Sequence, residues 1–242
     1  MIIDEYIKFQ NKYREKFGNK TIVLMEVGSF FEYYGYNDNG DEWNNVTIEE
    51  IADVLNATIT SKNPKKLQSK SNPRMGGFPN HSIDKHLNRL LKEGWTVVLV
   101  EQDSHGTVNP TREVSAVYTV GTNIQYNHSY KSNYLACIYF ESYSIFNSAN
   151  KGLSIGIAFT DLSTGENKMY ETSSKKDDID YSLDEIYRLL KIYEPQEIII
   201  YRNTEDISDS MIVSKLDINT QVYSFRDSQN NHKNKHYQEE VL

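Results

Sequence analysis

The alternation of apolar and polar positions divides the chain into elements. Thr21-Ile22-Val23-Leu24-Met25 is an unbroken apolar run, rich in β-branched and aliphatic residues, and reads as a buried strand. Gly28 and Ser29 interrupt it as a turn would. Beyond that turn, Phe30 and Phe31 must point in different directions on extended chain, while Glu32 shares the side of Phe30. One ring can anchor a core while the other projects. Upstream, Tyr6, Phe9 or Gln10, Tyr13 and Phe17 fall at near-helical spacing over residues 3–17, and Gly18 ends that amphipathic helix. A turn is expected at 37–41. Thr47-Ile48-Glu49-Glu50 has the form of a capping box and predicts a helix through Leu55, with Ile48, Ile51, Ala52 and Leu55 inward.

A short strand at 57–60 leads into a loop over 61–73, where Pro64 and Pro73 prevent regular structure. Arg74-Met75-Gly76-Gly77-Phe78-Pro79 follows, and its two glycines permit close approach of the backbone to another group. Ser82 is placed to cap a helix with Ile83, Leu87, Leu90 and Leu91 on one face, stopped by Gly94. Residues 96–100 form another buried strand, and 103–122 are rich in turn residues. From 133 onward the pattern changes. Strands are expected at 133–141, 153–161 and 166–171, then a helix at 181–192, a strand at 197–201, a helix near 205–215 and a strand at 218–225. Three strands followed by α-β-α-β is the order of an RNase H-like layered domain. The expected fold class is α/β with two domains, a small mixed-sheet module and an RNase H-like one. The boundaries are 1–122, a linker at 123–132, the second domain at 133–226 and a polar tail at 227–242.

Composition adds limits. A chain of 242 residues with 38% hydrophobic and 25% charged residues fits a soluble globular protein with one large or two ordinary cores. No apolar run is long enough to span a membrane, and Asp4 and Glu5 stand where a signal peptide needs bases. Cys137 is the single cysteine, which excludes an intramolecular disulfide and a thiolate metal cluster. An intracellular, non-secreted protein is expected. The net charge of −8 argues against nucleic acid, but its distribution qualifies that. Between Val54 and Ile83 lie Lys62, Lys65, Lys66, Lys70 and Arg74, with no Asp or Glu. That window is either a solvated loop or a phosphate-binding surface.

Motifs for other chemistry are weak. Gly18-Asn19-Lys20-Thr21 lacks the glycine spacing of a phosphate loop. The histidines lack ligand spacing, apart from His232 and His236 in the tail. No serine sits in a Gly-x-Ser-x-Gly elbow. Glu141, Asp161 and Glu197 are the acids that an RNase H-like nuclease could use for two-metal catalysis. Nothing in the sequence fixes their geometry, and Asp161-Leu162-Ser163-Thr164-Gly165-Glu166 reads rather as a hairpin turn whose Asp and Ser/Thr satisfy local backbone groups.

Several ordered stretches resemble the N-terminal part of the MutS family of mismatch-recognition ATPases. Gly28-Ser29-Phe30-Phe31-Glu32 resembles the family's Gly-Asp-Phe-Tyr-Glu, with the Phe-x-Glu signature on Phe30 and Glu32. Met75-Gly76-Gly77-Phe78-Pro79 is similar to Met-Ala-Gly-Ile-Pro, and His81 follows it. The strand ending in Glu101-Gln102, Thr111-Arg112-Glu113-Val114, Gly121-Thr122 and the Asp161–Glu166 turn also match in order. Ser29, Phe31, Arg74 and Val120 depart from the family's usual Asp, Tyr, Pro and Pro, and the basic stretch at 64–72 is longer. The Asn-, Lys- and Tyr-rich composition and Met-Gly-Gly-Phe-Pro are similar to the branch found in giant viruses and octocoral mitochondria. The resemblance implies a mismatch-recognition domain followed by a connector, and a fragment without the family's lever, clamp and ATPase regions.

By that resemblance Phe30 is a wedge that enters the minor groove and stacks on a mispaired or unpaired base. Glu32 hydrogen-bonds the displaced base, and Met75, Gly76 and Gly77 line the groove beside it. Lys62, Lys65, Lys66, Lys70 and Arg74 are the proposed phosphate contacts. No cofactor is expected in the fragment, whereas ATP and Mg²⁺ belong to the full-length protein. The implied partners are double-stranded DNA with mismatches or small loops, a second copy in a homodimer and a MutL-like protein. Two readings from other classes remain: the nuclease above, and a protein-binding connector without DNA affinity.

Overall fold

The computed structural model describes residues 2–38, 41–103, 111–122, 133–145, 151–219, 222–226 and 236. The chain divides into two compact units, Met1–Tyr126 and Asn127–Leu242. The stretch expected as a linker and, apart from His236, the expected tail lie outside the described residues. So does His232. The protein is mixed α/β, with one sheet in each unit.

In the first unit, α1 (Ile2–Phe17) precedes β1 (Thr21–Val27), β2 (Phe30–Asp38) and β3 (Asp41–Trp43). α2 (Asn45–Leu55), β4 (Thr60–Ser61), β5 (Arg74–Pro79), α3 (Ile83–Lys92), β6 (Thr96–Gln102) and β7 (Arg112–Tyr118) complete it. The sheet order is β4-β5-β2-β1-β6-β7, with β3 paired to β2. β1 and β6 run parallel through the middle, and Ile22, Val23, Val97 and Val98 are fully buried there, which explains their continuous apolar runs.

α1 supplies more than an apolar stripe. β1 pairs with β2 only from Met25 to Val27, so the start of β1 needs other partners. Gln10 provides them: its Nε2 donates to Thr21 O at 2.7 Å and its Oε1 accepts from Val23 N at 2.8 Å. Tyr6 adds its hydroxyl to Val23 O at 3.1 Å. Of the two residues that periodicity allows inward, Phe9 or Gln10, the fully buried one is the glutamine. A buried strand edge requires polar satisfaction, which a phenylalanine cannot give.

Three local expectations change. The capping box does not form: α2 begins two residues before Thr47, entered from Asn44 in the left-handed region at φ 60°. The Thr47 hydroxyl instead accepts from Arg14 Nη2 at 3.0 Å. Ser82 makes no cap either; its hydroxyl donates to Pro79 O at 2.8 Å within the 3-10 turn Asn80–Ser82. The turn-rich stretch 103–122 contains β7, antiparallel to β6. Its register shifts between Leu99 and Val100, and a bulge of this kind breaks the alternation from which a strand is read.

In the second unit, β8 (Tyr134–Ser144), β9 (Lys151–Asp161) and β10 (Glu166–Ser173) form an antiparallel meander. α4 (Tyr181–Tyr193), β11 (Glu197–Asn203), α5 (Asp209–Lys215) and β12 (Val222–Arg226) follow, and β11 pairs parallel with both β8 and β12. The order β10-β9-β8-β11-β12 is the RNase H-like arrangement. One sheet face carries Ala136, Ile138, Phe140, Ile155 and Ile157 against Leu183, Ile186 and Leu190 of α4. Ser208 caps α5 by accepting from Met211 N at 3.3 Å, four residues later than the expected helix start.

Packing beneath β5 yields two predictions. A Cβ on Gly76 would lie 2.4 Å from the Tyr33 ring, so Gly76→Ala should cost about 1–3 kcal/mol in urea unfolding. The Tyr33 hydroxyl has no hydrogen-bond partner among the described residues, so Tyr33→Phe should leave stability unchanged or higher and relieve part of the Gly76→Ala penalty. His86 packs against Phe78 with ring centroids 4.1 Å apart, and burial, then Arg89 and Lys85, holds its pKa below the usual histidine value. A lowered folded value means that its stabilisation is complete above about pH 6.5 and is lost as pH falls through the folded pKa. Thermal melts should show that decline between neutral and mildly acidic pH, and it should be absent in His86→Phe.

Candidate nucleic-acid interface

The hairpin of β1 and β2 organises the candidate site. Val27 pairs with Phe30, which leaves Gly28 and Ser29 as a two-residue turn, and Gly28 takes a φ of 62°. Such turns favour glycine in the left-handed position. The turn is also held from outside. Asn80 N donates to Ser29 O at 2.9 Å, Asn80 Nδ2 reaches Gly28 O at 3.3 Å, and Gly28 N donates to Gln102 Oε1 at 3.4 Å. Glu26 joins both braces, accepting from Asn80 Nδ2 at 2.6 Å and from Gln102 N at 3.0 Å. Arg112 Nε donates to Glu26 O at 3.1 Å.

This register separates the two rings. Phe31, opposite Phe78 of β5, is 4% exposed, whereas Phe30 is 46% exposed at the hairpin end. Glu32 lies opposite Gly77, and Tyr34 opposite Met75. Phe30, Glu32, Tyr34, Met75 and Gly77 therefore share one sheet face. The other face carries Phe31, Tyr33, Gly76 and Phe78, covered by α2 and α3. The half-buried carboxylate of Glu32 accepts a hydrogen bond from the Tyr34 hydroxyl. Burial first, then the neighbouring Glu32, pushes the Tyr34 pKa upward, so this phenol stays a donor. Its ring packs edge-on against Tyr6 at 5.1 Å. A groove of about 360 Å³ opens on the same face, with Glu32, Tyr34 and Met75 in its wall.

The two glycines act differently. Gly76 is buried and leaves room for Tyr33 inside the unit, so it is not a point of approach for an outside group. Gly77 is exposed; a Cβ there would meet Phe31 O at 2.7 Å and Glu32 Cγ at 3.3 Å, so its bareness gives Glu32 space.

The five bases separate too. Arg74 is on the α2 face, where its Nη1 lies 2.6 Å from Glu49 Oε1, and it does not join Phe30 and Glu32. Lys70 Nζ sits 2.7 Å from Asp4 Oδ1, which lowers the Asp4 pKa and raises that of Lys70. Lys62, Lys65 and Lys66 are exposed and form no ion pair among the described residues. Their loop is organised by buried Asn72. Its Nδ2 donates to the carbonyls of Asn63, Lys66 and Leu67 at 3.0, 3.2 and 3.1 Å, and its Oδ1 accepts from Asn63 N at 2.8 Å. Asn72, Asn80 and Gln102 escaped the reading of residue types, because each acts through a partner distant in sequence or through its own backbone surroundings, and Tyr34 escaped it because its bond to Glu32 needs both side chains on one sheet face. The Asn-Pro pair at 72–73 was the available sign of an ordered turn.

The acids of a nuclease centre do not converge. Asp161 lies opposite Tyr134, at one end of the β8–β9 ladder, and Glu141 lies opposite Ser154; Glu197 lies opposite Leu135, at the same end as Asp161 but on the other face of the sheet. Seven residues of extended strand separate the Asp161 and Glu141 positions, on the order of 23 Å. Asp161 accepts from Ser163 N at 2.9 Å and from Ser163 Oγ at 2.5 Å, and these bonds hold its pKa below the usual carboxylate range. The sequence 161–166 is a turn that satisfies itself. No three His, Cys, Asp or Glu side chains group for a metal ion among the described residues.

Comparison with known proteins bears on most of the chain. A putative DNA mismatch repair protein mutS homolog of Acanthamoeba polyphaga mimivirus is 30% identical over 209 residues, covering 86% of this chain and 18% of that protein. The DNA mismatch repair protein MutS of Thermodesulfovibrio yellowstonii is 31% identical over 211 residues, covering 85% of this chain and 20% of the relative. The chain thus spans about a fifth of the length of these relatives. RNase H1 from Halobacterium salinarum aligns over 40% of this chain and 88% of its own at 12% identity, with a TM-score of 0.26. The family model for MutS domain I matches residues 3–127, more than half of the sequence and the whole of the sheet that carries Phe30, and the chain belongs to the MutS family.

Proposed function

We propose that the first unit recognises mispaired or unpaired bases in double-stranded DNA, within a larger mismatch repair protein. The observation that carries this is Phe30, a half-exposed aromatic ring fixed at the end of a braced hairpin beside a carboxylate. A ring held this way stands outside the core cluster of the unit and can enter the minor groove as a wedge. Unstacking a base step costs a few kcal/mol, and stacking on the ring returns about 1–3 kcal/mol whatever the base. A mismatched step unstacks and bends more cheaply, so selectivity arises from deformability. Glu32 accepts from an N–H of the displaced base while Tyr34 holds its position, and Met75 lies alongside in the groove wall. Lys62, Lys65 and Lys66 contact phosphates; Lys70 contributes after exchange with Asp4, and Arg74 stays with Glu49.

The second unit serves as the connector that passes the state of the DNA to the rest of the protein, with a second copy and a MutL-like protein as partners. ATP and Mg²⁺ do not fit the residues here. The chain has no glycine-rich phosphate loop, and no metal-ligand group forms among the described residues. ATP hydrolysis is proposed for other parts of the full-length protein.

The test compares binding to a mismatched duplex and its matched counterpart by fluorescence anisotropy. Phe30→Ala should lower the preference for the mismatch about tenfold or more, given the stacking energy, and leave the melting temperature unchanged. Equal preference in variant and parent sinks the wedge. Replacing Lys62, Lys65 and Lys66 together with Gln should weaken every duplex alike and flatten the dependence of log K on log salt by about one per lost contact. Absence of affinity for any duplex at about 50 mM salt, where phosphate contacts are strong, favours the protein-binding reading instead.

A further inference from the structure

We propose that the free edge of β10 is a docking strand for β10 of a second copy of this chain, paired antiparallel about a two-fold axis at Met169. This gives the second copy proposed above a surface on the second unit; it rests on that part of the reading and involves no residue of the first unit. A sheet edge exposes unpaired N–H and C=O groups, and most proteins keep it short, bulged or guarded by charge. The first unit does so: its sheet ends in the two-residue β4 and the bulged β7. β10 is different. It is the end of its sheet among the described residues, and it pairs with β9 from Glu166 to Ser173 with no register shift and no proline.

The ladder with β9 fixes which groups face the open side. Ser174 N donates to Leu153 O at 2.8 Å, one step beyond the pairing of Ser173 with Ser154. Hydrogen-bonded pairs alternate along an antiparallel ladder, so Lys168, Tyr170 and Thr172 bond β9 while Asn167, Met169, Glu171 and Ser173 turn both backbone groups outward. Lys168 does not guard this edge. Its Nζ is drawn over the sheet, 3.1 Å from Glu166 Oε1 and 5.0 and 5.6 Å from the ring centres of Tyr193 and Tyr134. Met169, by contrast, is 80% exposed.

The strand matches itself. Two copies related by a two-fold axis share one sheet face across an antiparallel pair, so outward residues meet outward residues. With Met169 on the axis, its side chain lies against the partner's Met169, and Asn167 lies opposite the partner's Glu171. Asn167 gives one N–H to Gly165 O at 3.1 Å and keeps the second for that carboxylate. On the other face Lys168 lies opposite the partner's Tyr170 and Glu166 opposite the partner's Thr172, and about six backbone bonds form between the strands. No like charges meet. Moving the axis to Lys168 would set two ammonium groups together, and moving it to Tyr170 would set Met169 against a carboxylate. An extended peptide of another protein would not require this symmetry, so the occupant is a second copy. One strand pair is at the low end of specific interfaces, so the dimer is transient, with a Kd on the order of 10–100 µM.

Sedimentation velocity and crosslinking test the pairing. Between about 2 and 300 µM the chain should pass from monomer to dimer. Met169→Lys, at an exposed position, sets two ammonium groups on the axis and should raise the Kd about tenfold or more with the melting temperature unchanged. In a Cys137→Ala background, Met169→Cys should give a disulfide-linked dimer under mild oxidation, since Cα atoms of a hydrogen-bonded pair lie about 5.5 Å apart. Glu171→Cys in the same background should not, because its two copies would stand more than about 13 Å apart. A dimer untouched by Met169→Lys, or crosslinking as efficient at 171 as at 169, overturns the β10 pairing and leaves the second copy as a partner through another surface. A chain that stays monomeric at every concentration overturns the pairing and the second copy as partner of this unit together. Preference for a mismatched duplex should be the same in Met169→Lys and the parent, and a loss of that preference overturns the separation of this edge from DNA recognition.

Discussion

The register of one hairpin governs the candidate site. With Gly28 and Ser29 as the turn, Val27 meets Phe30, and every residue of β2 has its face assigned. A slip of one residue would bury Phe30 and expose Phe31, because side chains alternate with a period of two. Strand pairing alone would not hold the turn rigid at the end of a sheet. The Glu26 carboxylate ties Asn80 and Gln102 together, and these two clasp the turn from β5's exit and from β6. Charge-assisted bonds are the stronger kind, which makes Glu26 a fitting centre for the brace. A projecting ring is useful only if its base cannot yield when it meets a stacked duplex.

Electrostatics then decides what the face can meet. The protein is acidic overall, so attraction to phosphate must be local. Within the basic window, Glu49 and Asp4 draw two cations into pairs and leave Lys62, Lys65 and Lys66 on a loop held by the carbonyl bonds of Asn72. Exposed pairs are worth little in stability. Their consequence is spatial: Arg74 is turned to the helix-covered face, and the free cations lie on the loop that borders the groove. The Glu32 carboxylate on the wedge face is not left bare, because a buried phenol donates to it.

The second unit shows how similar residues take another role. Asp161 sits at the end of a central strand, where a nuclease could use a carboxylate, yet Ser163 satisfies it twice and Glu141 lies far along the ladder. The hydrogen bonds within 161–166 make a stable corner between β9 and β10. What this unit offers is a sheet with one helix-packed face, whose core of isoleucines and Phe140 is independent of the first unit's.

The sequence by itself determined the secondary elements with strong periodicity, the two-sheet α/β class, that Phe30 and Phe31 point to opposite sides, and the family. These follow from short-range rules, since alternation, apolar runs and ordered motifs are properties of neighbours along the chain. Tertiary structure alone decided that Gln10 rather than Phe9 faces inward, that Gly76 accommodates Tyr33, and that Arg74 and Lys70 meet Glu49 and Asp4. It also decided that Thr47 bonds Arg14 instead of capping its helix, and that a bulged β7 lies within a turn-rich stretch. Each of these depends on a partner supplied by a different element, and a residue's type records what it can bond to, whereas only the fold brings one particular partner within reach.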